Sequence, residues 1–279
     1  YTTALRNIGS IRNSGFELQL DGRIIDRAVK WDLGVNFSLN RSKVLVLSED
    51  KDIFGGELDN TILKDQLNLM RVGEPMYVFY GYVEDGYDEN GHIVYKNMDD
   101  DPAITAADKT IIGDPNPDFL VNLTTAVSYK GFTLSAFFQS SIGNDIYSLS
   151  MAAQAYDYGY NGNTLREVYY NHWTPENPTA KYPNLDQTSY KMSDRFVYDG
   201  SFVRLKNLEL AYDVPCARNK FIKRARVYVS AQNLFTITSY PFWDPDINAN
   251  GGGSSMIQGV DSYCYPSART YTIGCRLTF

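Results

Sequence analysis

Val29-Lys30-Trp31-Asp32-Leu33-Gly34-Val35-Asn36-Phe37-Ser38-Leu39-Asn40 places an apolar residue at every odd position and a polar residue or glycine at every even one. In an extended chain a period of two sends Val29, Trp31, Leu33, Val35, Phe37 and Leu39 to one face and the polar set to the other. The run therefore predicts a β-strand with one greasy and one wet face. Its length decides the class. Strands of soluble proteins run about 5–6 residues, whereas a tilted strand needs about 9–11 to cross a bilayer.

The same alternation recurs in Gly15–Ile25, Phe119–Tyr129, Phe132–Phe138, Phe202–Tyr212, Ala225–Phe235 and Thr270–Phe279, giving seven strands in all. Tight links separate some of them (Asp26–Ala28, Lys130–Gly131), with a modest one at Val214–Arg224. Long links, Arg41–Asp118, Gln139–Ser201 and Thr236–Ser267, separate the others. Short turns on one rim and long loops on the other are the habit of outer-membrane barrels. The expected fold is all-β: a portion of an antiparallel transmembrane β-barrel, with about seven long strands and long extracellular loops.

In that orientation Trp31, Tyr129, Tyr212 and Phe279 fall at the outward-facing periplasmic ends. Phe16, Phe37, Phe119, Phe138, Phe202, Phe235 and Tyr271 fall at the opposite ends, so two aromatic bands flank an aliphatic middle, as membrane interfaces select. Bacterial barrels use an even strand number from eight upward, so seven cannot close one. Residues 1–279 are accordingly expected to be the C-terminal portion of a larger barrel protein whose earlier part is absent.

Composition narrows the function. A net charge of −7 argues against a nucleic-acid partner, which needs clustered Lys and Arg. No stretch of 18 apolar residues offers a transmembrane helix. Cys216, Cys264 and Cys275 have neither metal-ligand nor redox spacing. The two histidines, His92 and His172, stand 80 residues apart without a zinc-protease motif or nucleophile elbow. Tyr156-Asp157-Tyr158 supplies one carboxylate where glycoside hydrolysis needs two. No residue is nominated as catalytic, and the chain is not expected to be an enzyme.

Several stretches carry a family likeness. Asn13-Ser14-Gly15-Phe16-Glu17-Leu18 opens the first strand, and Val72-Gly73-Glu74-Pro75 leads to Phe79-Tyr80-Gly81-Tyr82. Ile112-Gly113-Asp114-Pro115-Asn116-Pro117-Asp118 and Trp173-Thr174-Pro175-Glu176-Asn177-Pro178 follow. Then come Phe202-Val203-Arg204-Leu205-Lys206-Asn207, Val229-Ser230-Ala231-Gln232-Asn233-Leu234-Phe235, Asp244-Pro245-Asp246 and Tyr265-Pro266-Ser267-Ala268-Arg269-Thr270 before Phe279. In this order the chain resembles SusC-type TonB-dependent outer-membrane transporters.

The resemblance implies a 22-stranded barrel with an N-terminal plug, strands 16–22 being supplied here. It implies import of oligosaccharides or peptides across the outer membrane of a Gram-negative bacterium. The import would be driven by the TonB-ExbB-ExbD system and shared with a SusD-like surface lipoprotein. Plug, TonB box and the first two-thirds of the barrel are missing from these residues, so the chain alone would not transport.

Two candidate sites are named from the residues. Asn97, Asp99, Asp101 and Asp108 mimic an EF-hand-type calcium loop, although Pro102 stands where the turn wants glycine and Asp108 where a longer Glu would chelate. Loop aromatics with nearby amides and carboxylates suit sugar rings. The set chosen is Tyr158, Tyr160, Trp173, Tyr240, Trp243, Asp244 and Asp246, with Trp243 beside the two aspartates as its centre. The rival reading, from another class, is a soluble carbohydrate-binding β-sandwich module of a secreted glycan-degrading protein. It differs in what the apolar face meets: a second sheet instead of lipid.

Overall fold

The computed structural model describes residues 9–60, 63–156, 163–216, 221–247 and 256–279. Seven strands form one antiparallel sheet in chain order: β1 (Gly9–Asp26), β2 (Val29–Leu47), β3 (Phe119–Tyr129), β4 (Phe132–Ile142), β5 (Phe202–Val214), β6 (Arg224–Thr238) and β7 (Thr270–Thr278). Each expected strand is present, and β1 and β7 form the two open edges. The β1–β2 hairpin is longer than alternation indicates. Its pairing continues past Gly15↔Asn40 to Gly9↔Leu47, beyond the stretch where a membrane face imposes a period of two.

Register keeps the faces consistent. Leu20 pairs with Val35, Val35 with Leu123, Leu123 with Phe138, and Phe138 with Leu205, so one row of apolar side chains crosses five strands. A slip by one residue would invert a strand's faces. This outer face has no second layer over it: Leu20, Leu134, Val229 and Ile273 are all exposed, Ile273 at 86%. A sandwich would seal these groups, so the rival architecture is not the one observed.

Ring contacts run along both rims, Phe16–Phe37 at 6.3 Å and Phe37–Phe119 at 5.9 Å on the loop side, and Phe132–Tyr212 at 4.5 Å on the other. On the outer face the Trp31 indole N–H donates to Thr125 Oγ1 at 2.9 Å, which meets its need for a partner where water is scarce.

Phe202 corrects the expected aromatic band. Pairing of β5 skips one residue, Lys206, so its side-chain phase changes there, whereas β6 skips two, Asn233 and Leu234, and keeps its phase. Phe202 consequently pairs with Ser141 and Thr238 on the inner face and is buried. A bulge is a local insertion, and the alternation on either side does not reveal its phase change.

The apolar core lies in the long connections, not in the wall. Ile53–Phe54, Asn68–Met70, Val78–Gly81 and Thr110–Gly113 make a four-stranded sheet, and Asp145–Ser148, Val197–Asp199 and Val260–Asp261 a three-stranded one. Two helices, α1 (Leu149–Tyr156) and α2 (Arg166–Tyr170), complete the body. Phe79, Tyr147, Tyr156, Met192, Phe196 and Val260 are buried together. Tyr156 stacks on Tyr190 at 3.8 Å and meets Phe196 edge-on. Tyr82 N–H donates to Met192 O, joining the first connection to the second, and Tyr147 pairs with Val260, joining the second to the third. Among the described residues no helix is long and apolar enough to cross a membrane.

Candidate functional site

Where the loop body meets the wall, the phase change in β5 turns Arg204 inward, and it is 1% exposed. Its Nε donates to Thr236 Oγ1 at 2.9 Å, and Nη1 to Ser267 Oγ at 3.0 Å and Asp246 Oδ2 at 3.4 Å. Nη2 is paired with Asp244. Asp244 also accepts the N–H groups of Asp246 and Ser267, each at 2.9 Å. Burial pushes the Asp244 carboxyl up, but the Ser267 and Asp246 amides and the Arg204 guanidinium outweigh it and hold it below the ordinary carboxylate value. The expected ligand cluster thus divides. Asp244 and Asp246 are the clamp that ties the third connection to β5, whereas Trp243 is 57% exposed and stacked on Phe242 at 4.8 Å. A cavity of about 320 Å³ lies beside them, lined by Arg204, Thr236, Trp243, Asp244 and Arg269.

The other expected residues separate further. Tyr240 is buried, and its hydroxyl bonds Asp261 Oδ2 at 2.5 Å and Ser148 Oγ at 2.9 Å, so it ties two connections together. Burial and that carboxylate raise its hydroxyl pKa well above the usual phenol value. Trp173 is half-buried and packs over Gly91, where a Cβ would collide with its ring. Tyr158 and Tyr160 lie outside the described residues. Exposed ring faces occur instead at Tyr169, Tyr170, Tyr263 and Tyr265, the first two meeting edge to face at 5.2 Å.

The calcium-like loop closes on its own amides. Asp108 accepts Met98 N–H at 2.7 Å through Oδ1 and Thr105 N–H at 2.7 Å through Oδ2. These bonds hold its carboxyl below the ordinary value. Asp99 accepts Asp101 N–H and Asp101 accepts Ala103 N–H. Oxygens expected on a cation are therefore engaged with backbone. Among the described residues no three His, Cys, Asp or Glu side chains converge as a metal group.

A feature not anticipated is the segregation of charge on the inner wall. Toward the loop rim the inward positions are rich in amides and hydroxyls, among them Asn36, Ser38, Asn40, Asn122 and Gln139, with Glu17 opposite Ser38. A groove of about 650 Å³ opens there, lined by Asn13, Ser14, Glu17, Ser38, Asn40 and Asn116. Toward the short-turn rim the inward positions include Asp21, Arg23, Asp32, Glu209, Asp213, Arg226 and Arg276, interspersed with Ser128, Thr133 and Ser135. Sorting the polar half of each alternating run by height would have revealed it.

Comparison with known proteins accounts for this architecture. No family model matches the chain. TonB-dependent receptor P3 of Formosa agariphila is 31% identical over 300 residues, covering all of this chain and 30% of that protein. TonB-dependent receptor SusC of Bacteroides thetaiotaomicron is 28% identical over 285 residues, 98% of this chain and 27% of that one. The structure of the RagAB peptide transporter superposes with a TM-score of 0.79 at 26% identity, over 98% of this chain and 29% of that chain. The chain thus spans about 30% of the length of the curated relatives it matches. In sequence along its whole length and in its seven-stranded wall, the chain has the make-up of the C-terminal barrel part of SusC-type TonB-dependent receptors, which are outer-membrane proteins of Gram-negative bacteria.

Proposed function

We propose that the polypeptide of which residues 1–279 form the C-terminal barrel portion imports a nutrient across the outer membrane. It does so energised by TonB-ExbB-ExbD and together with a SusD-like surface lipoprotein on the loop side, and its cargo is an oligosaccharide. The observation that carries the cargo is the amide- and hydroxyl-rich inner wall beneath the loop body, in which Glu17 stands opposite Ser38. Asn36, Asn40, Asn122 and Gln139 offer amides, and Ser38 a hydroxyl, that pair with neutral hydroxyl groups. Exposed rings at Tyr169, Tyr170 and Trp243 add flat faces on the loop surface.

A second reading, peptide cargo, is favoured by the likeness to the RagAB peptide transporter, since amides pair equally with a peptide backbone. The test is calorimetry on the full-length receptor co-purified with its lipoprotein, titrated in parallel with neutral oligosaccharide and peptide pools. Saturable oligosaccharide binding that weakens in Asn40→Ala and Asn122→Ala is expected. Peptide binding alone selects the second reading, and binding of neither pool rejects import of both classes.

A further inference from the structure

Above the aromatic band on the loop side, the outer face of the β1–β2 hairpin turns from apolar to basic. Phe16 pairs with Leu39, Ser14 with Arg41 in the next row, and Arg12 with Lys43 in the row beyond. The register does not shift between Phe16 and Arg12, so Arg12, Arg41 and Lys43 keep the outward phase of Phe16 and Leu39. The intervening residues point the other way. Val44 is fully buried beside Leu47 and Met70 in the loop body, and Ser42 Oγ accepts Met76 N–H at 3.1 Å.

The sheet does not neutralise these cations. Arg12 and Lys43 are exposed and lie directly opposite one another, an arrangement of like charges that destabilises a sheet. Arg41 Nη2 meets Asp118 Oδ1 at 2.7 Å. Among the described residues neither Arg12 nor Lys43 has a carboxylate partner. The outward positions of β1 from Arg12 to Leu20, and of β2 from Val35 to Lys43, hold no Asp or Glu.

Height decides what the cations meet. Phe16, Phe37 and Phe119 touch in a row and mark the edge of the hydrocarbon, because rings gather at the interface. With a rise of about 3.4 Å per residue and a tilt of about 45°, Arg12 and Lys43 stand about 10 Å above the Phe16 row. The headgroup layer is about 5–7 Å deep on each side, and long basic side chains bend back toward it by several ångströms. The occupant must therefore present an anion at headgroup height and apolar matter to Phe16, Leu18 and Leu20 beneath. A free anion supplies the first alone, and a soluble acidic protein does not reach the second. A phosphate-bearing lipid supplies both, its phosphate taking charge-assisted bonds from two guanidinium groups and an ammonium.

We propose that Arg12, Arg41 and Lys43 bind the phosphate of a lipid in the outer leaflet, whose acyl chains lie along Phe16, Leu18 and Leu20. The inference goes beyond the import reading and is independent of the cargo.

The test incubates full-length receptor in detergent with monophosphoryl lipid A, or with the same lipid stripped of its phosphate. Bound lipid is counted by native mass spectrometry. The phosphorylated form is expected to be retained about tenfold better. Arg12→Gln with Lys43→Gln should abolish that preference, whereas Arg12→Lys with Lys43→Arg, which keeps both charges, should preserve it. Inorganic phosphate in millimolar excess should fail to displace the lipid, since it has no acyl chains. Equal retention of the two lipids, a preference that survives the glutamine pair, or displacement by inorganic phosphate overturns the proposal. If the glutamine pair fails to assemble, salt decides it on the unaltered receptor. Raising salt from about 0.05 to 0.5 M should weaken retention of the phosphorylated lipid and spare the stripped one, and equal sensitivity of the two overturns the proposal.

Discussion

A guanidinium that is 1% exposed must have its charge met inside the protein, and Arg204 meets it through Asp244, Asp246, Thr236 and Ser267. Removing one partner of such a pair costs about 3–5 kcal/mol, because a charge is left buried and alone. Asp244→Ala is therefore expected to loosen the third connection from β5, seen as faster proteolysis within residues 239–269 of the assembled receptor. Asp244→Asn, which keeps the amide contacts, should do so less.

Acid should reach the same end. The folded carboxyl sits below its ordinary value, so its stabilisation is complete above the unfolded value of about 3.9 and is lost as pH falls through the lower folded one. Proteolysis of this segment should stay flat from neutrality to about pH 4 and rise below it. A rise centred near pH 6 would assign the anchor to other groups. The Asp-Pro-Asp motif was visible in the sequence as a polar cluster beside a tryptophan. Its partner was not, since Arg204 lies 40 residues away behind a bulge.

Asp108 makes a parallel case. Its spacing reads as a calcium ligand, and in the structure its two oxygens accept the Met98 and Thr105 amides. Chelating divalent cations should leave hydrogen exchange of residues 97–108 unchanged, whereas Asp108→Ala should raise it. Protection that disappears with chelator would instead favour the metal reading.

The strands were legible because a period of two is a local property and each run carries it independently of the others. Their lengths survived less well: β1 and β2 extend beyond the membrane-facing stretch, β4 runs on from Phe138 to Ile142, and β6 from Phe235 to Thr238. What alternation did not reveal was the change of phase across the skipped residue Lys206, which moved Phe202 to the other face. The face assignment itself can be measured. Leu33 and Leu123 lie in the outer set, and an arginine there should oppose insertion by about 2–4 kcal/mol near the bilayer midplane. Asn36, one step from Val35, points inward, so Asn36→Leu should be far milder. The readout is the fraction of full-length receptor recovered in the outer membrane in its heat-modifiable form. Equal losses from both faces would count against lipid contact.

The wall by itself has an exposed outer face and two open edges, so what is globular in this molecule is the body built on its loop rim. That body was not legible. Its buried residues follow no period, and they come from three connections that each read as loop: Phe79 from the first, Tyr147 and Tyr156 from the second, Val260 from the third. Only their aromatic content was apparent, and it suggested ligand contact where much of it is packing. A shared core has a measurable consequence. Phe79 is fully buried and meets Tyr147 at 6.1 Å, so Phe79→Ala should cost about 3–5 kcal/mol by cavity formation. If the three connections hold one core, the loss cannot stay in the first. Hydrogen exchange should rise together in Val78–Gly81, Asp145–Ser148 and Val260–Asp261, while β3 and β4 keep their protection through their own ladder. An increase confined to Val78–Gly81 would mean three separate loops, each free to move alone.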